Sequence, residues 1–431
     1  MSEAVVLLVV FGVLLLAGVP IAFTLGLAAF AALAVSLSPG SAATVLAQRL
    51  ATGLDSFALL AIPFFILSGN LMNRGGIAAR LVDLAKVVVG RLPGGLAYVN
   101  VLANMLFGAV SGSAAAAAAA NGGFMAPLMK REGYDRDFGA AVNISSAVTG
   151  LLIPPSNVMV VYSLASGGVS IAALFVAGYV PGILLGLVLM LVGGRIAKAR
   201  GYPVGERVGL PAALRILWSA TPSLALVLIV MGGIILGWFT PTEASAVAVL
   251  YTFVLAVLVY REVKWTDLPR LVADSAATTA VVLLLIGASM GLSWVLSSAN
   301  IPQAVTAALL ELTENKLLLL LLINVLLLVV GTFMDMTPAV LIFTPILLPV
   351  VQKFGVDPIH FGLIMIFNLC IGLCTPPVGS VLFIGCSVAQ TTLRQVIRPL
   401  LPFFAALVIV LLLVTYVPAI SLWLPSLLGL K

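Results

Sequence analysis

Charge is what this chain has least of. Of its 431 residues, 8% are charged and 62% hydrophobic. A soluble domain of this length would carry about three times that share of charge, so the soluble class is set aside. With a mean hydropathy of +1.25, the composition is that of an all-α polytopic membrane protein. Histidine is nearly absent. The single one, His360, falls between the apolar runs and reads as a loop or interface residue. A serine nucleophile inside a membrane needs a base within hydrogen-bond reach. With that histidine outside the spans and no lysine inside them, an enzyme is not expected. There is no P-loop motif either, so any energy must come from an ion gradient or a partner. Cysteine is scarce: Cys370, Cys374 and Cys386 lie in apolar surroundings and read as small packing residues, not as a metal or redox site. No cofactor is expected. The opening Met-Ser-Glu-Ala lacks a basic n-region, so Val5–Leu16 reads as a first span and not as a cleaved signal.

Long apolar runs are what the chain has in abundance. They predict spans at 3–17, 20–37, 57–73, 137–165, 170–193, 213–236, 241–260, 275–299, 357–389 and 400–423. The first is short, and it is left open whether it continues into the second through Gly18-Val-Pro20. Segments 93–129 and 317–352 read as re-entrant hairpins, each with two apolar arms around a polar tip. The tips are Ser111-Gly-Ser113 and Asp335-Met-Thr-Pro338. Net charge +6 is read loop by loop, as orientation and not as a nucleic-acid footprint. Arg74, Arg80, Lys86 and Arg91 precede the first hairpin, and Lys130, Arg131 and Arg136 follow it, so its feet are cytoplasmic. Arg195, Lys198, Arg200, Arg207 and Arg215 mark another cytoplasmic loop, as do Arg261, Lys264 and Arg270. The second hairpin has weakly charged feet and is expected to enter from the opposite face.

The same features recur at offsets of 221 to 225 residues: Val19-Pro20 with Thr240-Pro241, Ile77 with Ile301, Ser111 with Asp335, Asn143 with Asn368, and Pro154-Pro155 with Pro376-Pro377. Residues 1–200 and 201–431 therefore read as two repeats of five spans plus one hairpin. An odd number of crossings inverts the second repeat. Transporters built this way place their site at the repeat interface near the midplane.

Two helix breaks should line that site. Asn143-Ile-Ser-Ser-Ala-Val-Thr-Gly-Leu-Leu-Ile-Pro-Pro-Ser-Asn157 lies in a run from Phe138 to Gly194 with no charged residue. Gly150 and the two prolines must interrupt it. Freed backbone groups survive at membrane depth only against protein or a wet cavity. Each break and each tip offers one helix C-terminus, suited to a small cation, and one N-terminus, suited to an anion. The cation candidates are Ser111, Ser113, Thr149, Gly150 and Ile153 in the first half, and Gly331, Asp335, Thr337, Gly372 and Thr375 in the second. For a solute the candidates are Ser111, Asn143, Ser156, Asn157, Asp335 and Gly379. Asp335 is the only ionisable residue between Lys316 and Lys353, which makes it a functional candidate, although capping of the second arm is the bland alternative. The seven alanines Ala114–Ala120 read as close helix packing. Thr240-Pro-Thr-Glu243 reads as a capping box, and Asn70 is left open between cavity lining and helix cross-linking.

Gly18-Val-Pro-Ile-Ala22, Ala61-Ile-Pro-Phe-Phe-Ile-Leu-Ser-Gly-Asn70, Ser111-Gly-Ser-Ala114, Ile153-Pro-Pro-Ser156, Thr240-Pro-Thr-Glu-Ala244, Met334-Asp-Met-Thr-Pro338 and Thr375-Pro-Pro-Val-Gly379 run through nearly the whole chain. Together they resemble the large membrane subunit (M, DctM-like) of a tripartite ATP-independent periplasmic (TRAP) transporter. The resemblance implies an elevator of the ion-transporter superfamily in a bacterial inner membrane. It implies Na+ as coupling ion, so that the cation candidates become sodium candidates. The implied partners are a small four-helix membrane subunit, a periplasmic substrate-binding protein and an organic-acid substrate of the C4-dicarboxylate, acidic-sugar or keto-acid class. The alternative is a related ion-coupled anion carrier that needs no binding protein.

Overall fold

The computed structural model describes residues 3–205, 208–376 and 378–430, apart from the side chains of residues 306, 309, 310 and 312. Arg207 and Pro377, both used above, lie outside the described residues. The described chain is helical throughout, apart from one isolated bridge between Pro93 and Val204. Among the described residues, eight helices are long and apolar enough to cross a membrane, or nine if the pair around Pro154-Pro155, bent by 50°, counts as one span.

In the first half, α1 (Glu3–Leu16) and α2 (Ile21–Ser36) are separate helices that pack on each other. The connection is broken by Gly18, at φ +76°, and by Pro20. Next come α3 (Pro39–Leu54), α4 (Ala61–Arg74) and α5 (Ile77–Val89). Both α3 and α5 lie in segments to which the sequence reading gave no element. The first hairpin is α6 (Gly95–Ser111) and α7 (Ala114–Arg131). The broken helix is α8 (Arg136–Ala147), α9 (Thr149–Leu152) and α10 (Asn157–Ala165), and α11 (Ile171–Ala199) closes the half.

The second half repeats the order. It has α12 (Leu210–Ile235), α13 (Pro241–Phe253, prolonged by the π-helical turn Val254–Val259), α14 (Leu268–Ser298) and α15 (Ile301–Leu312). The second hairpin is α16 (Lys316–Phe333) and α17 (Met336–Lys353), and its broken helix is α18 (Pro358–Leu373) with α19 (Ser380–Ala389). The last predicted span, 400–423, resolves into α20 (Leu393–Tyr416) and a short α21 (Ala419–Leu427). At α13 the capping box is formed: Thr240 Oγ1 accepts from the Glu243 amide at 3.3 Å, and Glu243 Oε2 accepts from the Thr240 amide at 2.8 Å.

Packing exchanges equivalents between the halves: α4 lies on α13 and α14 on α2, while α10 lies on α17 and α19 on α7. At the centre are the pre-break helices. Every residue from Phe138 to Leu152, and every one from Ile359 to Leu373, is buried. Cys370 and Cys374 are buried where these helices meet, the Cys374 Sγ lying 3.3 Å from the Ile144 carbonyl. His360 is not in a loop. It sits in the first turn of α18, and α21 folds back over it, leaving Nδ1 2.6 Å from Ser421 Oγ and Nε2 3.2 Å from the Thr415 carbonyl.

Buried amides tie each hairpin to its broken helix, because a polar group inside must find a partner. In the first half Asn104 donates to Asn143 Oδ1 (3.1 Å) and to Ser146 Oγ (2.7 Å), and Asn121 donates to Asn104 Oδ1 (2.9 Å). In the second, Asn368 donates to Asn324 Oδ1 at 2.7 Å, and Asn324 to Thr415 Oγ1 at 3.1 Å. Glycine pairs let the same helices touch. A Cβ on Gly108 would lie 2.1 Å from Gly150 Cα, and one on Gly372 would lie 2.4 Å from the Gly331 carbonyl carbon.

Candidate solute cavity at the two helix breaks

The first tip is made by a chain reversal at Gly112. Helix α6 ends at Ser111, Gly112 takes φ +62° and donates to the Gly108 carbonyl at 2.8 Å, and Ser113 caps α7 by accepting from the Ala116 amide at 3.3 Å. This tip rests on the first break. A Cβ on Gly112 would stand 2.6 Å from the Pro155 carbonyl oxygen, so glycine is required there for contact as well as for conformation. On the break itself Thr149 donates to the Ser146 carbonyl at 2.6 Å, and the Ile153 amide donates to the Thr149 carbonyl at 2.8 Å, closing the last turn of α9. Ser111 Oγ, Ser156 Oγ and Asn157 Oδ1 are buried atoms with no hydrogen-bond partner among the described residues.

The second tip is built differently. Asp335 occupies the N-cap position of α17, but its carboxylate makes no capping hydrogen bond. The bland cap reading is therefore not realised. The carboxylate is exposed. At the second break, Thr375 donates to the Ile371 carbonyl at 2.7 Å, and the Gly379 amide to the Thr375 carbonyl at 3.1 Å. A Cβ on Gly379 would lie 2.6 Å from the Leu373 oxygen and 2.8 Å from the Thr375 oxygen, so two carbonyls converge on the space that only glycine leaves.

Both tips and both breaks open into one cavity of about 300 Å³. Its wall includes Ser111, Gly112, Ser113, Asp335 and Thr337 from the tips, and Leu151, Asn157, Leu373 and Ser380 from the breaks. The opposite wall comes from α4 and α14 through Phe65, Asn70, Thr278 and Val282. Asn70 does both things left open for it: it lines the cavity and donates to Ser275 Oγ at 2.8 Å, joining α4 to α14. The alanine run also contributes, with Ala114, Ala115 and Ala116 on the wall. Four helices, α7, α10, α17 and α19, begin at this cavity, while α6 and α18 end at it. Asp335 is the one charged side chain on the wall among the described residues. Positive potential here comes from helix N-termini, not from Lys or Arg.

Not every predicted residue reaches the cavity. Thr149, Gly150, Ile153, Gly331 and Gly372 are buried behind the tips, the glycines serving close contact. Ser156, Thr375 and Gly379 stand just off the wall in the breaks. Asn143 is placed elsewhere. Its amide donates to the Ala118 carbonyl at 2.9 Å, and it faces a separate cavity of about 320 Å³ with Asn100, Lys130 and Arg136. It precedes the break by two helical turns, and that distance turns it away from the tip. Of the lining residues, Phe65, Thr278 and Ser380 were missed. Ser380 follows Gly379 as Asn157 follows Ser156, so the repeat itself held that signal.

Comparison with known proteins identifies the family. Residues 8–420 match the family model described as "Tripartite ATP-independent periplasmic transporter, DctM component". The uncharacterized protein YgiK of Salmonella typhimurium is 54% identical over 417 residues, covering 97% of this chain and 96% of that one. The C4-dicarboxylate TRAP transporter large permease protein DctM of Pseudomonas aeruginosa is 42% identical over 400 residues, covering 93% of each. Among solved structures, the YdaH transporter of Alcanivorax borkumensis superposes with a TM-score of 0.64 at 14% identity, over 86% of both chains, a likeness of fold. The chain thus belongs to the DctM family of TRAP large permeases, multi-pass proteins of the inner membrane that act with a small membrane subunit and a periplasmic binding protein.

Proposed function

We propose that the chain imports a small organic acid, handed over by a periplasmic binding protein, at the expense of a sodium gradient. The observation that carries this reading is the single cavity bordered by both tips, both breaks and four helix N-termini. An anion entering it meets bare amides instead of lysine, a preorganised arrangement. A C4-dicarboxylate, the substrate in the name of one relative, is of the right class. Sodium would take the C-terminal ends, with Ser111, Ser113 and the Thr149–Ile153 carbonyls in one half, and Asp335 or Thr337 with the Gly372–Thr375 carbonyls in the other. Ser156, Asn157 and Gly379 sit at the N-terminal ends and would face the substrate carboxylate.

The movement we propose is an elevator. The hairpins and broken helices, tied by the Asn104 and Asn324 networks, travel as one body along α4, α13 and α14. The two halves would be inverted repeats, as the exchanged packing of α4 and α14 suggests. The small subunit is proposed to be a separate chain. Proteoliposomes with the small subunit and loaded binding protein should accumulate the organic acid only with sodium outside. Equal accumulation with sodium replaced by potassium would remove the sodium coupling. Equal accumulation without the binding protein would remove the handover.

A further inference from the structure

The cytoplasmic end of the first hairpin carries a second groove, which solute transport does not explain. It lies between α5 and α7 and holds about 280 Å³. Its lining includes the charged Lys86 and Arg131 and the apolar Val82, Leu128 and Phe124, the last 46% exposed. Asp83 also lines the groove and pairs with Lys86 at 3.1 Å, whereas Arg131 has no ion-pair partner among the described residues. Helix α7 runs from the buried tip to its basic foot, so Phe124 lies about 10 Å deeper than Arg131 at 1.5 Å per residue. On α7, Arg131 therefore lies nearer the headgroups and Phe124 nearer the acyl chains.

The repeat supplies an internal control. Helix α5 joins two cytoplasmic points, the end of α4 and the foot of the hairpin, so it runs along the interface instead of crossing it. Between Arg74 and Arg91 this linker holds four basic residues and one acid. Its counterpart around α15, residues 298–315, holds Glu311 and Glu314 and no basic residue. The same architecture is thus built without cations on the other face. Of these four, Arg74 pairs with Asp274, Arg80 with Glu262, and Arg91 donates to the Val208 carbonyl, so Lys86 is the one that faces the groove, on the side where the inner leaflet carries anionic lipid.

We infer that the α5–α7 groove binds one anionic phospholipid of the inner leaflet, its phosphate between Arg131 and Lys86 and an acyl chain on Phe124, Leu128 and Val82. The inference does not depend on the transport mechanism, since its test reads lipid and not uptake. The purified full-length chain, delipidated in detergent, is titrated with phosphatidylglycerol or phosphatidylcholine and followed by native mass spectrometry. Phosphatidylglycerol should bind to the parent at least tenfold more tightly than phosphatidylcholine. K86Q/R131Q should lose roughly ten- to thirtyfold of that affinity, about fivefold per cation beside an anionic lipid. K264Q/R270Q, which removes two cytoplasmic cations elsewhere, should retain it. D83N frees Lys86 and should tighten binding severalfold, which keeps the test alive if the double variant does not fold. Undiminished binding by K86Q/R131Q, an equal loss in K264Q/R270Q, or weaker binding by D83N would overturn the site. Full competition by inorganic phosphate would make it a free-anion site instead and overturn the lipid.

Discussion

The glycine pairs between hairpin and broken helix allow a graded test of how tightly the tips are held. Adding a methyl at Gly372 places it 2.4 Å from the Gly331 carbonyl carbon and oxygen. Those are backbone atoms, and they cannot rotate aside. A methyl at Gly108 meets Gly150 Cα at 2.1 Å. A methyl at Gly331 meets Gly372 Cα only at 3.2 Å, so a shift of a few tenths of an ångström accommodates it. At Gly123, on α7, nothing lies within 4 Å. Two effects compete. Ala exceeds Gly in helix propensity by about 1 kcal/mol, and overpacking against a fixed neighbour costs about 1–3 kcal/mol. At Gly123 only the first operates, and at Gly331 the two nearly cancel. At Gly108 and Gly372 the clash wins by about 2 kcal/mol, taken from the upper end of the overpacking range. Thermal unfolding of the purified variants should therefore rank Gly123→Ala at or above the parent, Gly331→Ala near it, and Gly108→Ala and Gly372→Ala well below. If Gly108→Ala and Gly372→Ala unfold at the parental temperature, the tips do not rest on the breaks as described.

The remaining expectations concern single side chains. Asn368→Leu strips the donor from buried Asn324 Oδ1 and should cost about 1–3 kcal/mol; adding Asn324→Leu should recover part of that loss in a double-mutant cycle. Thr240→Ala removes the capping box and should cost about 1 kcal/mol, with uptake per folded molecule unchanged. A collapse of uptake would instead place Glu243 in the transport path. Asp335→Asn should insert at least as well as the parent, since a membrane-centre acid costs on the order of 3 kcal/mol. It should lose sodium-driven uptake, and near-parental uptake with parental sodium dependence would remove Asp335 from the site.

The breaks and tips were legible because proline, glycine and a lone acid stand out in apolar sequence. Pro154-Pro155 cannot continue a helix, and Asp335 cannot be left in lipid without a reason. Helices α3 and α5 were not legible. Both are too short to span; α3 is half polar, α5 holds three charges in thirteen residues, and neither carries a tandem break. The burial of His360 depends on α21 folding back across the start of α18, a contact between segments about 60 residues apart that no local pattern encodes. Gly108 looked like any glycine in a membrane helix. Only its correspondence with Gly331, opposite the Gly150 and Gly372 pair, would have singled it out. Asn143 lies next to a break in the sequence but not in space. At 3.6 residues per turn, two turns carry a side chain well away from the break.

The polar groups at the first break bear on what the cavity is for. Most buried polar side chains here are bonded, although Asn121 Oδ1 and Asn368 Oδ1, at the edges of the Asn104 and Asn324 networks, and Thr279 Oγ1 stand singly without a partner among the described residues. Ser111 Oγ, Ser156 Oγ and Asn157 Oδ1 also lack one, but they sit together where tip meets break. Each unmet buried group costs about 1–3 kcal/mol, and alanine or valine would remove the cost. Three such groups in one place are hard to explain as packing, because apolar residues would pack as well. They are explained if a bound species completes them. The matching position in the second half offers an exposed carboxylate where the first offers hydroxyls. In the proposed carrier this makes the halves chemically unlike. The first can hold an ion by neutral oxygens alone, and the second brings one negative charge that a cation must offset before an organic acid can share the cavity. In that proposal a cation held first at the second half would favour the anion that follows.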